Sequence, residues 1–179
     1  MSKTTKGPAF NKSKFETVLL YILNECKDLP NVGKTVLFKL LYFIDFDSYE
    51  LREKSITGET YCKLPRGPAP EHFESVITEL KKKNAIKEER IPVGLHIQNH
   101  FHALTKPDLK LLDGEELKII NNVIQKLSSM NARQISAYSH GDLPWRATPS
   151  NEVIDYNLVF YRDDTYSVRE SDDSGDDAV

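Results

Sequence analysis

The feature that most constrains the fold of this chain is an apolar run at residues 36–46, with the sequence VLFKLLYFIDF. In a helix of this sequence apolar side chains point in almost every direction, and only Lys39 and Asp45 interrupt them. A helix that is apolar all round must be enclosed by other elements. The run is also too short and too charged to span a bilayer. We therefore expect a helix over residues 34–49 at the centre of a globular core.

A polar stripe runs along this predicted helix, because Lys39, Tyr42 and Asp45 lie three residues apart. Two interpretations of the stripe remain open. In one, long side chains lie among apolar neighbours and only their polar tips reach the surface. In the other, the stripe forms part of a surface that binds a partner.

Apolar spacing and capping signals predict four further helices. Ser13 and Glu16 have capping-box spacing, and Pro70 suits the first turn of a helix over residues 70–83. Asp113 and Asn131 can each cap a later helix.

The remaining segments predict strands and loops. Residues 86–104 read as a β-hairpin that turns at residues 92–94, and residues 56–63 as a short strand or extended segment. Three prolines make residues 64–70 a rigid connection with little capacity for ladder pairing. Alternating apolar residues favour a last strand over residues 154–160.

The predicted fold class is α+β and predominantly helical, with about five helices around the central buried helix and a small β-hairpin. The order of helix 70–83 and then a hairpin also allows a winged-helix-like element. A chain of 179 residues is expected to form one domain. We place it at residues 13–162, after a disordered lead-in at residues 1–12.

Residues 163–179 are predicted to be an acidic disordered tail. They hold seven acidic residues against Arg169 alone, whereas the whole chain carries a net charge of −3. The rest of the chain is therefore mildly basic. Two isolated cysteines are typical of reduced thiols in a cytoplasmic protein, and no apolar segment of the secretory type follows the N-terminus.

No catalytic pattern emerges from the sequence. Ser139, His140 and Asp142 have the residue types of a triad, but adjacency in sequence does not give its geometry. Glycine patterns that bind phosphate or dinucleotides are absent. We expect no enzyme activity and no cofactor.

Three histidines of the predicted hairpin form a weak metal candidate. His96, His100 and His102 alternate onto one strand face, where two imidazoles can reach one ion. No carboxylate or cysteine close in sequence completes such a site. A polar, solvent-facing side of the hairpin is the simpler interpretation.

Three blocks of the sequence resemble one known family. They are KLLYFIDF, then ITGETYCKLPRGPAP, and far downstream SHGDLPWRAT. Together they are similar to the Panacea domain, the SocA-like antitoxin family of type II toxin–antitoxin pairs in bacteria and phages. The resemblance implies an antitoxin that neutralises a cognate toxin, encoded by the adjacent gene, through direct protein–protein binding. It also leaves a phage or prophage origin open.

The resemblance also singles out individual residues. We expect one group to face the partner: Lys39, Tyr42, Tyr61, Lys63, Arg66 and His140. We expect a second group to shape the scaffold: Asp45, Gly58, Gly67, Pro68 and Trp145.

Two alternative functions remain open. A winged-helix DNA-binding regulator is disfavoured, because Glu71, Glu74 and Glu79 on helix 70–83 would face the phosphate backbone. The second alternative function is that of a proteolytic adaptor, which would deliver the toxin to a protease. We expect no DNA partner and no membrane partner.

Overall fold

A computed structural model of the chain describes residues 7–170, in which helices surround a central helix and two small hairpins flank it. The α-helices are α1 (Lys12–Glu25), α2 (Lys34–Arg52), α3 (Phe73–Lys82), α4 (Gly114–Leu127), α5 (Ala132–Gly141) and α6 (Leu143–Ala147). The strands are β1 (Tyr61–Leu64), β2 (Gly67–Pro70), β3 (Ile86–Val93) and β4 (His96–Ala103). Short 3-10 helices cover Leu109–Leu111 and Tyr156–Tyr161. The α+β, predominantly helical class is confirmed.

The central position predicted for α2 is also confirmed. Val36, Leu37, Leu40 and Ile44 have no exposed surface, and α1, α4, α5, β2 and the last 3-10 helix pack around them. Each fully buried side chain of this size contributes about 1.5 to 3 kcal/mol. Packing therefore holds α2 in place. No helix among residues 7–170 is long and apolar enough to cross a bilayer.

Asp45 is the polar centre of the core. Its carboxylate accepts hydrogen bonds from Ser55 Oγ at 2.8 Å, from Thr57 N and Oγ1 at 2.8 and 2.5 Å, and from Tyr61 Oη at 2.7 Å. A buried carboxylate is tolerated only when its oxygens are satisfied in this way. Asp45 thereby ties α2 to the segment that leads into β1.

A second buried polar cluster fixes the C-terminal segment to the helices. Arg162 donates to both oxygens of Asp142 and to one oxygen each of Asp47 and Glu50, all at 2.8 Å. Tyr42 Oη also donates to Asp142, at 2.8 Å. We call Arg162, Asp142, Asp47 and Glu50 the arginine cluster. One guanidinium thus holds the buried carboxylates of Asp142 and Glu50 and that of Asp47, whose side chain is 13% exposed.

The arginine cluster predicts a pH dependence of stability. Burial raises the pKa of Asp47 from 3.8 to about 6, although Arg162 opposes the shift. Between these two values the folded state binds a proton at Asp47 that the unfolded state does not. The folded state therefore gains stability as the pH falls through about 6. We expect the free energy of unfolding to rise by about 1 kcal/mol between about pH 7 and about pH 5.

Asp47→Asn is the matched control for this prediction, because its amide oxygen can still accept from Arg162. Urea denaturation of both proteins at the two pH values gives the difference. Buried Asp45 and Glu59 also have raised pKa values, and the subtraction removes their contribution. An identical pH dependence in both proteins would show that Asp47 does not titrate in this window.

Strand β2 contradicts the expectation that residues 64–70 have little capacity for ladder pairing. Gly67–Pro70 forms an antiparallel ladder with β1, and Pro68 lies opposite Lys63. The other side of β1 bonds to the chain at Asn151, Glu152 and Ile154, so β2 is an edge strand. Prolines are tolerated on an edge because their missing N–H groups face no partner.

The predicted hairpin over residues 86–104 is confirmed, but its turn is shifted. Pro92 pairs with Ile97, and the turn consists of Gly94 and Leu95. Gly94 has a φ of 60°, the left-handed conformation that glycine adopts without strain at the first position of a two-residue turn.

Two terminal expectations need correction. Helix α1 begins at Lys12, one residue before the predicted cap, because Asn11 accepts from Lys14 N. Phe10 stacks on His72 with ring centroids 4.0 Å apart, so the end of the predicted lead-in packs against the domain. Residues 1–6 lie outside the described residues.

The strand expected over residues 154–160 is wrong, since Asp155 caps the 3-10 helix there. The start of the predicted tail also packs on the fold. Tyr166 Oη donates to the Tyr138 carbonyl at 2.8 Å and Ser167 Oγ to Glu50 at 2.5 Å. The rest of that tail, residues 171–179, falls outside the described part of the chain.

Candidate partner-binding groove

A groove of about 780 Å³ lies between the N-terminal end of α2, strand β4 and helix α5. Arg66, from the turn between β1 and β2, lines it as well. We call it the basic groove, because its ionisable lining residues are Lys34, Arg66, His96, Arg133 and His140. No acidic residue is among the described residues that line it.

The two arginines of the basic groove are free to meet a partner. Lys34 pairs with Glu74 of α3, whereas no described carboxylate pairs with Arg66 or Arg133, and both side chains are exposed. Guanidinium groups favour planar, bidentate recognition of carboxylate or phosphate. The groove therefore presents two guanidinium groups that have no ion-pair partner among the described residues.

An aromatic stack includes His140, one of the residues that line the basic groove. The His140 and Trp145 rings lie parallel with centroids 4.2 Å apart, and Lys63 Nζ lies 4.1 Å from the centroid of the Trp145 ring. Desolvation, reinforced by the charge of Lys39, lowers the pKa of His140 below its usual value. The imidazole is therefore neutral at neutral pH, and the positive charge of the stack resides on Lys63.

Lys39 lies under the β1–β2 turn. Gly67 has a φ of 109°, and a Cβ there would stand 2.6 Å from Lys39 Cε and 2.5 Å from Ser139 Oγ. Only glycine lets the turn lie this close to the lysine. Desolvation, with the nearby charge of Arg66, lowers the pKa of Lys39 to about 8.

The structure corrects the expectation that Tyr42, Tyr61 and Lys39 face a partner. Both tyrosines have no exposed surface, and only 2% of Lys39 is exposed. The tyrosine hydroxyls find their acceptors inside the protein, on Asp142 and Asp45. Neither interpretation of the polar stripe therefore holds, because its polar groups are satisfied in the core or buried under the turn.

Lys63, Arg66 and His140 are the predicted contact residues that the structure leaves near the surface. They converge from β1, the β1–β2 turn and α5. Their grouping depends on the β1–β2 ladder, which brings the turn beside α5. The remaining partner-binding assignments rest on these three residues.

The expected scaffold residues lie in different parts of the fold. Asp45 is in the core, and Gly58, with a φ of 70°, adjoins the Ala9 carbonyl so closely that a Cβ would overlap it. Pro68 lies in β2, whereas Trp145 lies in α6 and stacks on His140.

Arg133 is a groove residue that sequence reasoning missed. Residues 133, 136, 137 and 140 all line the groove, and their spacing of three and four places them on one face of α5. That helical spacing was a signal available in the sequence. Arg162 had no such signal, because its three carboxylate partners lie far away along the chain.

The histidine candidate for a metal site does not assemble. His102 Nε2 lies 3.0 Å from Glu89 Oε2, and His100 Nε2 lies 3.2 Å from Gln98 Oε1. His100 is buried, so this face of the hairpin is not uniformly exposed to solvent either. Within residues 7–170 no group of three or more His, Cys, Asp or Glu side chains could hold a metal ion.

Comparison with known proteins identifies the family. The sequence profile described as "Antitoxin SocA-like, Panacea domain" matches residues 37–146, from the first turn of α2 into α6. The match covers more than half of the chain and most of the basic groove. No curated protein and no solved structure matches the chain. The chain therefore belongs to the SocA-like Panacea family of antitoxins.

Proposed function

We propose that this protein is a cytoplasmic antitoxin that neutralises a toxin, encoded by the adjacent gene, by binding it directly. Family membership supports the antitoxin role. The observation that carries the binding proposal is the basic groove, in which Arg66 and Arg133 have no described carboxylate partner. Neutralisation of this kind needs no chemistry from the antitoxin, because a bound protein can occlude or distort the active site of the toxin.

The surface around the groove has the composition of a protein interface. The tip of the β3–β4 hairpin exposes Val93, Leu95 and Ile97, and Ile97 also lines the groove. Apolar anchors and arginines that are desolvated on binding dominate the affinity of such interfaces. A toxin segment with acidic and apolar side chains would complement both parts of the surface. A stable complex buries on the order of 1,200 to 2,000 Å².

The residue types of a catalytic triad are occupied in structural roles. Ser139 Oγ donates to the Ser136 carbonyl at 2.8 Å, and Asp142 binds Arg162 and Tyr42. Neither group is placed to act with His140 as a nucleophile and its orienting carboxylate. This arrangement supports a binding protein.

DNA binding is the weaker alternative on electrostatic grounds. The exposed side of α3 carries Glu74 and Glu79, which pair with Lys34 and Lys12. Carboxylates on that face repel a phosphate backbone, and Lys34 and Lys12, which could attract it, are already paired with them. The α3-then-hairpin order is present, but its charge pattern suits a protein partner.

The proposal is tested by co-expression with the adjacent gene. We expect the neighbouring product alone to arrest growth, this chain to restore growth, and a tagged form of this chain to co-purify the toxin. The amount of toxin in the cell is measured in the same cultures. A proteolytic adaptor would lower that amount, whereas neutralisation by binding leaves it unchanged or higher. Absence of both rescue and co-purification would end the proposal.

A further inference from the structure

The β3–β4 hairpin has an open edge along β4. Its sheet has two strands, so β4 pairs with β3 on one side and with no described strand on the other. In an antiparallel ladder, residues whose N–H and C=O bond to the neighbouring strand alternate with residues whose N–H and C=O point away from it. Val93 pairs with His96 across the turn, and Pro92 pairs with Ile97. Because proline has no N–H to exchange, Ile97 belongs to the second kind, and so does Asn99, two residues further on.

The neighbouring contacts agree with this assignment. A Cβ on Gly33, at the start of α2, would stand 3.4 Å from the Asn99 carbonyl oxygen, so this oxygen faces α2 and not β3. No described residue outside the hairpin hydrogen-bonds to the backbone of Ile97 or Asn99. An exposed strand edge of this kind is a template on which another extended chain can pair.

The open edge of β4 lies inside the basic groove. Ile97 and Asn99 both line the groove, and 60% of Ile97 is exposed. Arg66 and Arg133, which have no described carboxylate partner, line it as well. Backbone groups that can pair with an extended chain, and guanidinium groups that can bind its acidic side chains, therefore share one cavity of about 780 Å³.

We propose that the toxin inserts an extended acidic segment into the basic groove, where the segment pairs with β4 and becomes a third strand of the hairpin sheet. The pairing uses the N–H and C=O groups of Ile97 and the N–H group of Asn99, because the Asn99 carbonyl lies against Gly33. Acidic side chains of the same segment bind Arg66 and Arg133. In recognition by strand addition, main-chain hydrogen bonds give affinity and side-chain contacts give specificity. The inference rests on the proposed function, since it specifies how the toxin is bound.

Charge complementarity selects an acidic segment of another protein as the occupant. Pairing between the β4 strands of two copies would bring no carboxylate to the groove, because β4 has the sequence HIQNHFHA. A nucleic acid would bring phosphates, but its backbone has no N–H group to pair with the Ile97 carbonyl. An acidic peptide segment supplies both the carboxylates and the backbone groups of a β-ladder.

Hydrogen exchange tests the pairing at single amides. The full ¹⁵N-labelled chain is measured by NMR alone and in complex with the unlabelled product of the adjacent gene. We expect the Ile97 and Asn99 amides to exchange about tenfold or more slowly in the complex, because exchange then requires the added strand to detach. Gln98 and His100 bond to β3 in both states, and their amides report whether the hairpin is intact. A complex in which Ile97 and Asn99 exchange as fast as in the free chain would overturn strand addition, while still supporting neutralisation by binding.

The free chain distinguishes the other occupants of the edge. Slow exchange of the two edge amides that becomes faster on dilution would assign the edge to a second copy of the chain. Slow exchange that is lost when the four aspartates at positions 172, 173, 176 and 177 are replaced by Asn would assign it to the acidic C-terminal segment. Either result would contradict an edge that is open to the toxin.

Ile97→Pro removes the edge N–H without removing a hydrogen bond to β3, and Ile97→Ala measures the effect of the side chain alone. We expect Ile97→Pro to bind purified toxin about tenfold or more weakly than Ile97→Ala, because a toxin carbonyl is left without its donor. The Gln98 and His100 amides show whether each variant keeps the hairpin. Equal affinity of the two Ile97 variants would overturn strand addition.

Arg90→Pro is the matched control for Ile97→Pro. Arg90 lies opposite Asn99, so its N–H points away from β4, towards the other edge of the hairpin. We expect this variant to bind the toxin within about threefold of wild type, because it leaves the groove and the β4 edge unchanged. A loss as large as that of Ile97→Pro would show that proline on either strand weakens binding, and would contradict a specific role for the β4 edge.

Discussion

Replacement of Arg162 with Met should leave the protein largely unfolded under conditions in which the wild type is stable. The substitution removes the guanidinium that pairs with the buried carboxylates of Asp142 and Glu50 and with the mostly buried Asp47. Loss of one partner from a buried ion pair typically costs about 3 to 5 kcal/mol, because the remaining charge is uncompensated. Domains of this kind have only about 5 to 15 kcal/mol in total. Urea denaturation followed by circular dichroism measures the loss.

Arg169→Met is the matched control for this experiment. Arg169 also donates to Glu50, at 3.3 Å, but 48% of its side chain is exposed. Exposed ion pairs contribute roughly 0 to 1 kcal/mol. If both variants lost the same free energy of unfolding, burial of the arginine cluster would not determine how much the cluster contributes to stability.

The double substitution Arg66→Glu and Arg133→Glu should abolish toxin neutralisation while leaving the fold intact. Both side chains are exposed and unpaired among the described residues. If the groove receives acidic groups, the variant places like charges opposite each other. Disruption of a desolvated charge pair costs about 2 to 5 kcal/mol. We therefore expect affinity to fall by about 100-fold or more, as measured by calorimetry with purified toxin.

The control carries Lys87→Glu and Arg90→Glu on the exposed part of β3. Both double variants change the net charge by the same amount, so long-range attraction between the proteins is reduced similarly. We expect the control to bind within about threefold of wild type at physiological salt, where distant charges are screened. Comparable losses in the two variants would show that net charge, and not the groove, sets the affinity.

The features that the sequence could predict are those encoded by neighbouring residues. The apolar run at residues 36–46 specified a buried helix. Asp113 forms the predicted capping box at the start of α4, and Asn131 caps the start of α5 as predicted. The alternating arm of residues 96–103 likewise forms one strand of a hairpin. Each signal operates within a single helix or strand, so no knowledge of the tertiary structure was needed.

The errors arose where distant residues decide the outcome. Tyr42 was assigned to the partner-facing group, but its hydroxyl is satisfied inside the protein by Asp142, which lies 100 residues away. The proline-rich segment of β2 was expected to have little capacity for pairing, because its position at an edge could not be known from the sequence. The groove also requires α5, β4 and the β1–β2 turn together, and only one side of it, along α5, has a periodic signal.

The most direct test of a binding mechanism is a titration of the toxin's activity with this purified chain. If the chain acts by occupying the toxin, activity should fall in proportion to the amount added, reach its end point at a fixed molar ratio, and be independent of the preincubation time. The Arg66→Glu and Arg133→Glu variant should fail to inhibit at that ratio. Inhibition by a small fraction of an equivalent that deepens with time would mean that the chain modifies the toxin, and would contradict neutralisation by binding.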